Sequence, residues 1–360
     1  MTNKYGKTDF ETEIRSFVRE FGGFFNAHAH IDRAFTFDDK YLGHIGKTVS
    51  DLSGLTLAEK QDLVGAIHEG KAYEKEDLEE RMKKVLDESI GYGVSKLHSC
   101  IDTTGSDKIK LTALEIALKL KKEYKDKIDF KIGAYNVFGF KKDEPERWNF
   151  FVEAAKKSDF LVGLQERDER EGHIGEEQHV KRILELAYQL KKPAHFHVDQ
   201  ANIPDERRTE ILLGGMHNLF DVYYETCNYP EVWAVHVISP SCYPEDRFLR
   251  LCDNLVKYNI GVICCPSAGI SMKPMKEKEA RIHNAISRIW TMIFRGVNVY
   301  LGSDNINDVF VPSSSPDMFD EVLRLADILR FYDTRILAKL AAGKKMNNFD
   351  KATIKRAFLT

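Results

Sequence analysis

The chain carries, at residues 24–32, the segment Phe-Phe-Asn-Ala-His-Ala-His-Ile-Asp. This segment begins as a short apolar run after two glycines, as a β-strand does, and it ends on polar residues. Side chains two positions apart on a strand point to the same face, so His28 and His30 share a face. Two imidazoles at that spacing are suited to hold a borderline divalent metal ion. The segment therefore predicts a strand with a metal-binding pair near its carboxyl end.

Seven further apolar runs follow this segment, and amphipathic stretches rich in Lys and Glu separate them. That alternation predicts β/α units around a parallel sheet. Eight strands favour the α/β class and a (β/α)8 TIM-like barrel, since an open doubly wound sheet more often has about five to seven. The predicted strands are residues 24–31, 94–101, 130–137, 160–164, 194–198, 232–238, 260–264 and 297–301.

No linker rich in Pro, Gly or Ser divides the chain. We therefore expect one domain over residues 1–360, with an N-terminal helix within 1–22 and a helical tail over 333–360. The long insertion between Asp32 and the second strand is expected to lie over the barrel mouth as a lid, or to be a solvated helical excursion without a catalytic part.

Composition narrows the class of protein. The 360 residues are 43% hydrophobic and 30% charged, with a formal net charge of −3, which describes a globular chain and argues against nucleic-acid binding. No apolar run has the length of a membrane span, and the N-terminus lacks the apolar core of a secretory signal. The six cysteines form no Cys-x-x-Cys pair, so we expect reduced core residues in a cytoplasmic protein. A small-molecule partner is expected, and homo-oligomer formation stays open.

Other predicted strands also end on polar residues, and in such barrels the chemistry lies at the carboxyl ends of the strands. Histidine is scarce, yet five of the twelve histidines fall inside three predicted strands. Chance placement of core or surface histidines explains this poorly. We expect His195 to lie deeper in the barrel. The alternative is that it donates a hydrogen bond to a residue of the site. The polar strand ends are His195-Phe-His197-Val-Asp199 on the fifth, His236 on the sixth and Asp304-Asn305 on the eighth.

Two other motif interpretations fail. Residues 65–71 have phosphate-loop spacing, but Ala72 stands where Ser or Thr would bind magnesium, and no strand precedes them. The His-x-Glu and Pro-Cys-x-x-Cys signature of the zinc nucleobase deaminases is absent from the sequence.

With these strand ends in place, the chain resembles the amidohydrolase superfamily, and within it the cytosine deaminase-like branch. The resemblance extends from Phe24 to the segment after Phe310, and its specific pieces occur in order on strands one, four, five, six and eight. The pieces are residues 26–32, Val162-Gly-Leu-Gln165-Glu-Arg-Asp168, His197-Val-Asp199, Val235-His236 and Leu301-Gly-Ser-Asp304-Asn305.

The resemblance implies that one divalent metal ion is held by four side chains, with zinc as the first choice and iron or manganese as alternatives. It places His236 beside the attacking water or the substrate, so Asp304 and His236 are the predicted catalytic residues. The implied metal ligands are His28, His30, His197 and Asp304. The predicted substrate-binding residues are Gln165, Gln200, Asn305 and Asp308.

The sequence departs from the branch on strand five, where Gln200 stands at the position of a proton-shuttling Glu. A glutamine cannot act as a general acid or base, so Asp304 is the expected proton carrier. His28 also lies too near the N-terminus to leave room for the flanking β-sandwich of the family. The predicted function is metal-dependent hydrolysis of a non-peptide C–N bond in a cyclic or heterocyclic small molecule, by deamination or amide hydrolysis. The alternative is a catalytically silent metal- or ligand-binding barrel.

Two acidic residues after the fourth strand leave a choice open. Glu166 and Asp168 either take part in the site or form salt bridges with Arg167 or Arg170.

Overall fold

The computed structural model describes residues 8–52, 55–104, 109–223, 229–271 and 285–358. Eight parallel strands form one sheet in chain order, and a bridge between Ala29 and Asp304 joins its first and last strands. The predicted (β/α)8 barrel is therefore confirmed. The strands are β1 Phe24–Ala29, β2 Val94–Asp102, β3 Asp129–Tyr135, β4 Phe160–Leu164, β5 Ala194–Val198, β6 Val232–His236, β7 Ile260–Cys264 and β8 Val299–Leu301.

Helices surround the barrel, and further helices lie in the first insertion and at both ends of the described chain. In the described residues all eight strands belong to the one sheet, so this part of the chain shows no flanking β-sandwich. The helices are α1 Asp9–Glu20, α2 Asp39–Leu42, α3 Leu57–Glu69, α4 Lys75–Gly91, α5 Thr112–Glu123, α6 Pro145–Lys157, α7 Glu176–Leu190, α8 Arg208–Val222, α9 Glu245–Lys257, α10 Pro266–Ile270, α11 Ile289–Arg295, α12 Met318–Leu329, α13 Thr334–Ala341 and α14 Asn348–Phe358.

The strands are buried on both faces, because helices cover the outside and side chains fill the inside. Every residue of β1, β4, β5, β6 and β7 is buried. Three strands end two residues earlier than predicted: β1 at Ala29, β3 at Tyr135 and β6 at His236. After Ala29 the His30 amide bonds to the Asp304 carbonyl at 2.9 Å. β6 ends at His236, where the backbone turns to positive φ (76°) and continues so at Val237 (51°).

The insertion after β1 is largely helical. α3 begins at Thr56, whose hydroxyl accepts from the Glu59 amide while the Glu59 carboxylate accepts from the Thr56 amide, a capping box. The stretch with phosphate-loop spacing, residues 65–71, runs through the end of this helix and therefore forms no loop. Leu55, Leu57 and Lys60 from the insertion line the cavity at the barrel mouth.

Cys100, Cys242, Cys252, Cys264 and Cys265 are free and buried, and Cys227 lies outside the described residues. Across the described ranges, we find no helix with the length and apolar character needed to cross a bilayer.

Closure of the barrel between β8 and β1 depends on Gly302. A Cβ at this position would lie 2.8 Å from both Cβ and the carbonyl oxygen of His28. We expect Gly302→Ala to lower the free energy of unfolding by about 1–3 kcal/mol, because backbone on the neighbouring strand must move. Urea denaturation measures this change.

The matched control is Gly214→Ala on α8, where a Cβ would meet no atom within 4 Å. This change is expected to stabilise the helix by about 0.5–1 kcal/mol. Equal stability of Gly302→Ala and the wild-type protein would contradict the tight closure.

Candidate metal centre

The structure brings together four side chains that the sequence places on three separate strands. His28, His30, His197 and Asp304 each offer one ligand atom, and these atoms all lie within 4.8 Å of one another. Nε2 of His28 is 3.0 Å from Nε2 of His197, and Oδ1 of Asp304 is 3.4 Å from His28 Nε2 and 3.2 Å from His30 Nε2. Because the backbone of Asp304, just after β8, bonds to the backbone of His28 and His30, the Asp304 side chain lies directly beside these two histidines.

The protonation of these imidazoles suits a cation. Nδ1 of His197 lies 3.2 Å from the Gly163 carbonyl, an acceptor, so Nδ1 carries the proton and Nε2 presents its lone pair to His28. Burial lowers the pKa of His197 well below its ordinary value. Burial, with Arg33 nearby, lowers the pKa of His30 to about 4. These rings are therefore neutral at pH 7 and can act as ligands.

Asp304 supplies the negative charge of the cluster. Burial alone would raise the pKa of its carboxyl, but hydrogen bonds from His28 and His30 outweigh burial and hold that pKa well below its usual range. Three imidazole nitrogens and one carboxylate oxygen are a donor set that zinc prefers and that iron and manganese also accept. The residues present therefore fit one divalent ion. Asp304 Oδ2 has no hydrogen-bond partner in the described part of the chain.

His236 lies beside this cluster at the end of β6. Its ring centroid is 5.5 Å from that of His197 and 6.1 Å from that of His28. Both ring nitrogens are buried and have no hydrogen-bond partner among the described residues. Burial lowers the pKa of His236 to about 4, so the ring is neutral at pH 7 and offers one donor and one acceptor.

The backbone at the cluster is held in unusual conformations. φ is 76° at His236 and 59° at Asp304, both in the left-handed region that non-glycine residues seldom adopt. Such strain persists only where the surrounding structure enforces it, and it is concentrated at functional sites. Here it turns both side chains toward the same point at the barrel mouth.

A central cavity opens above the cluster, and about 630 Å3 of unfilled space lies within it when its opening to solvent is included. His30, His197, His236 and Asp304 form its floor. The other described residues that line it are Arg33, Leu55, Leu57, Lys60, Gln61, Tyr135, Val137, Leu164, Gln200, Ala268, Ser271, Asn305, Phe310 and Val311.

The four predicted substrate-binding residues divide into two groups, and their roles stay predictions. Gln200 and Asn305 line the cavity, and Nε2 of Gln200 is buried without a partner among the described residues. Asp308 lies behind Asn305 and accepts from its Nδ2 at 2.5 Å, so Asp308 holds Asn305 in place. Gln165 donates through Nε2 to the Arg208 carbonyl at 2.8 Å and is not among the described residues that line the cavity.

Sequence reasoning missed a buried polar network next to the cavity. Arg33 donates from Nε and Nη2 to the two carboxylate oxygens of Asp102, at 2.7 and 2.6 Å. His68 Nε2 lies 2.8 Å from Asp102 Oδ2, and the Tyr73 hydroxyl donates to Asp102 and, at 2.9 Å, to Asp32. The sequence did contain a signal for this network, because charged residues occur at two strand ends. They are Asp32 and Arg33 after β1 and Asp102 at the end of β2.

Of the two alternatives left open for Asp168, the salt bridge with Arg167 or Arg170 is not the one that the structure shows. The Asp168 carboxylate instead binds His179 Nδ1 at 2.7 Å and His173 Nδ1 at 3.1 Å, while Arg167 and Arg170 both pair with Asp62. Asp168 therefore links the loop after β4 to α7 through its carboxylate.

Glu166 likewise forms neither of the two salt bridges left open for it. It accepts from Gln61 Nε2 at 2.6 Å and lies 3.8 Å from Arg208, so neither Arg167 nor Arg170 is its partner. It does not belong to the ligand cluster. His195 stacks on Phe160 with ring centroids 4.3 Å apart and is not among the described residues that line the cavity, as expected for a deeper barrel residue.

The chain is similar to known proteins both in sequence and in fold. No family model matches the chain. An uncharacterized protein of Haemophilus influenzae is 28% identical over 284 residues, which cover 79% of this chain and 95% of that protein. The solved structure of 5-methylcytosine deaminase from Klebsiella pneumoniae, liganded with phosphonocytosine, superposes with a TM-score of 0.74 at 19% identity and covers 93% of this chain and 75% of that chain.

A second solved structure, N-isopropylammelide isopropylaminohydrolase from Burkholderia multivorans, has a TM-score of 0.65 at 16% identity, again over 93% of this chain and 75% of that chain. At these identities the likeness shows a shared fold. The structural neighbours are deaminases and hydrolases of heterocycles, and the predicted resemblance to their barrel is confirmed at that level.

Proposed function

We propose that this chain is a metal-dependent hydrolase that cleaves a non-peptide C–N bond in a cyclic or heterocyclic small molecule, by deamination or cyclic amide hydrolysis. The proposal rests on one observation: His28, His30, His197 and Asp304 come together, and three of these four residues, all but His28, line the central cavity. The names of the two solved neighbours, a 5-methylcytosine deaminase and an isopropylaminohydrolase, support this class of reaction. Cytoplasmic localisation, homo-oligomer formation and the absence of a nucleic-acid partner stay predictions.

One divalent ion, zinc in the first place, would be held by the four ligands and would polarise a water molecule or the scissile group as a Lewis acid. In the described residues these four side chains are the one group arranged to hold a metal ion, which favours a single ion over a pair. Iron and manganese remain alternatives because they accept the same donors.

The chain's own residues supply the proton transfers. Asp304 Oδ2, which lacks a partner in the described part of the chain, accepts the proton of the attacking water and returns it to the leaving nitrogen. Neutral His236 donates a hydrogen bond to the oxygen or nitrogen of the scissile group, where negative charge develops. Gln200 offers an amide donor, its unpartnered Nε2, to the ring of the substrate.

Gln200 is also the observation that favours the second candidate function, a silent binding barrel. An amide at this position removes one proton carrier from the cavity. The complete ligand set and the unpartnered His236 favour the enzyme, because both are arranged for chemistry that a binding protein does not need.

Metal analysis and turnover measurements test the proposal together. We expect mass spectrometry of the purified protein to find one divalent ion per chain. Ammonia release and ring opening are then measured over a panel of pyrimidines, triazines and lactams. Chelation is expected to abolish turnover and to lower Tm, because a ligand that binds only the folded state stabilises that state. Restoring zinc, iron or manganese singly identifies the metal.

Each outcome decides between the two candidates. Turnover that chelation removes and metal restores supports the hydrolase. A protein that holds one metal ion yet turns over none of the panel is the silent barrel. A protein without bound metal, and without affinity for added zinc, contradicts the hydrolase and leaves only a silent barrel that binds an organic ligand.

A further inference from the structure

Two cationic side chains, Arg33 and Lys60, line the central cavity. Among the described residues of this lining, Asp304 carries the single carboxylate, and its charge belongs to the ligand cluster. A cavity built for a neutral ring has no need of an ammonium and a guanidinium in its wall. The two positive charges therefore favour a ligand that carries a negative charge.

The guanidinium of Arg33 is held in place, and part of its hydrogen-bonding capacity is already used. Its Nε and Nη2 donate to Asp102, while Nη1 has no hydrogen-bond partner in the described part of the chain. The guanidinium carbon lies 5.4 Å from the ring centroid of Tyr135 and 5.7 Å from that of Phe310, two aromatic residues that line the cavity. Packing thus fixes the guanidinium at the wall and leaves one nitrogen for a ligand.

Lys60 has fewer bonding partners than Arg33 among the described residues. It is half-buried on α3, and its Nζ donates to the Phe310 carbonyl at 3.3 Å. No described carboxylate lies within ion-pair distance of Nζ. Burial lowers the pKa of Lys60, and only the more distant Asp308 opposes that effect. An ammonium kept partly from water without a paired anion is costly unless a ligand supplies the anion.

The other acids near the cavity are already paired elsewhere. Asp102 pairs with Arg33. Asp308 accepts hydrogen bonds from Asn305 and from two backbone amides. Glu166 accepts a hydrogen bond from Gln61 and lies near Arg208. None of these carboxylates is within ion-pair distance of Lys60. The positive charge of Lys60 therefore stays uncompensated on the cavity side.

The remaining wall is apolar and suits a flat ring. Leu55, Leu57, Val137, Leu164 and Val311 line the same cavity as the two cations and the metal ligands. Phe310 contacts both cations, the guanidinium through its ring and the ammonium through its carbonyl. Arg33 and Lys60 thus flank one residue at one side of the cavity.

We propose that the ligand of this cavity is a small ring that bears a carboxylate, and that Lys60 Nζ and Arg33 Nη1 bind this carboxylate beside Phe310. The ring then lies against the apolar wall, with its C–N bond toward His236 and Asp304. The orientation of the ring rests on the proposed function. Recognition of the carboxylate by the two cations does not depend on it.

Calorimetric binding to matched pairs of rings tests the proposal on the purified full-length protein. The pairs are cytosine with 5-carboxycytosine, and dihydrouracil with dihydroorotate. We expect the carboxylated member of at least one pair to bind about 10- to 100-fold more tightly, as charge-assisted hydrogen bonds provide. Lys60→Met is expected to reduce this preference to about 3-fold or less, and Lys60→Arg to retain most of it.

The control is Lys181→Met, which removes an exposed ammonium on α7 and should leave the preference unchanged. Arg33 is left in place because its removal would leave Asp102 buried and unpaired. Circular dichroism confirms that each variant is folded.

The results separate this proposal from the proposed function. Equal or tighter binding of the neutral rings, absence of binding by any carboxylated ring at millimolar concentration, or an unchanged preference in Lys60→Met overturns the carboxylate assignment. Lys60-dependent binding of a carboxylated ring without turnover supports the assignment and counts against the hydrolase. Turnover of neutral rings alone does the reverse.

Discussion

Replacing Asp304 by asparagine is expected to lower kcat/KM by about 10³-fold and to leave the barrel folded. The change removes a ligand charge from the candidate metal centre and also removes the carboxylate that carries the proton. Asparagine matches the shape of aspartate and tolerates the left-handed backbone that this position requires, with φ at 59°. The loss should therefore arise from chemistry and not from unfolding.

Three measurements check this prediction. They are kcat/KM on whichever ring of the panel is turned over, the metal content of the variant, and its far-UV circular dichroism. Asp246→Asn serves as control, since it removes an exposed carboxylate on α9 that pairs with Arg250. Wild-type kcat/KM in Asp304→Asn would exclude Asp304 as the proton carrier.

The second large effect concerns stability and the network behind the cavity. Asp102→Ala is expected to lower the free energy of unfolding by about 3–5 kcal/mol, because it leaves the buried guanidinium of Arg33 without its partner. Burial alone would raise the pKa of Asp102, but Arg33 and His68 hold it far below its usual range, so the native carboxylate is ionised and fully paired. Its loss also removes the partner of His68 Nε2, while Tyr73 keeps its hydrogen bond to Asp32.

Urea denaturation measures the change, and a double variant identifies its cause. Arg33→Met with Asp102→Leu removes both charges, and we expect it to recover most of the lost stability. Asp221→Ala, which removes an exposed carboxylate beside His217, should leave the unfolding midpoint unchanged. A loss below about 1 kcal/mol in Asp102→Ala would mean that water reaches Arg33 in the native state.

Much of the fold was predictable because it depends on local patterns. The apolar runs fix where strands form, and the period of two along a strand fixes that His28 and His30 share a face. The predicted ends of β1, β3 and β6 were wrong by two residues, and β6 ends where the φ of His236 turns positive. A change of backbone conformation of this kind does not follow from a run of apolar residues.

The sequence by itself determined the eight-strand barrel and the histidines at its strand ends, since both follow from backbone geometry that acts within a few residues. Tertiary structure alone decided that β8 closes on β1 and so brings Asp304 within 3.4 Å of His28. It also decided that Asp168 pairs with histidines, that Asp102 holds Arg33, and that Lys60 of the insertion reaches the cavity. These contacts join residues far apart in the chain, and their partners are set by how strands and helices pack around a closed barrel, which no local pattern records.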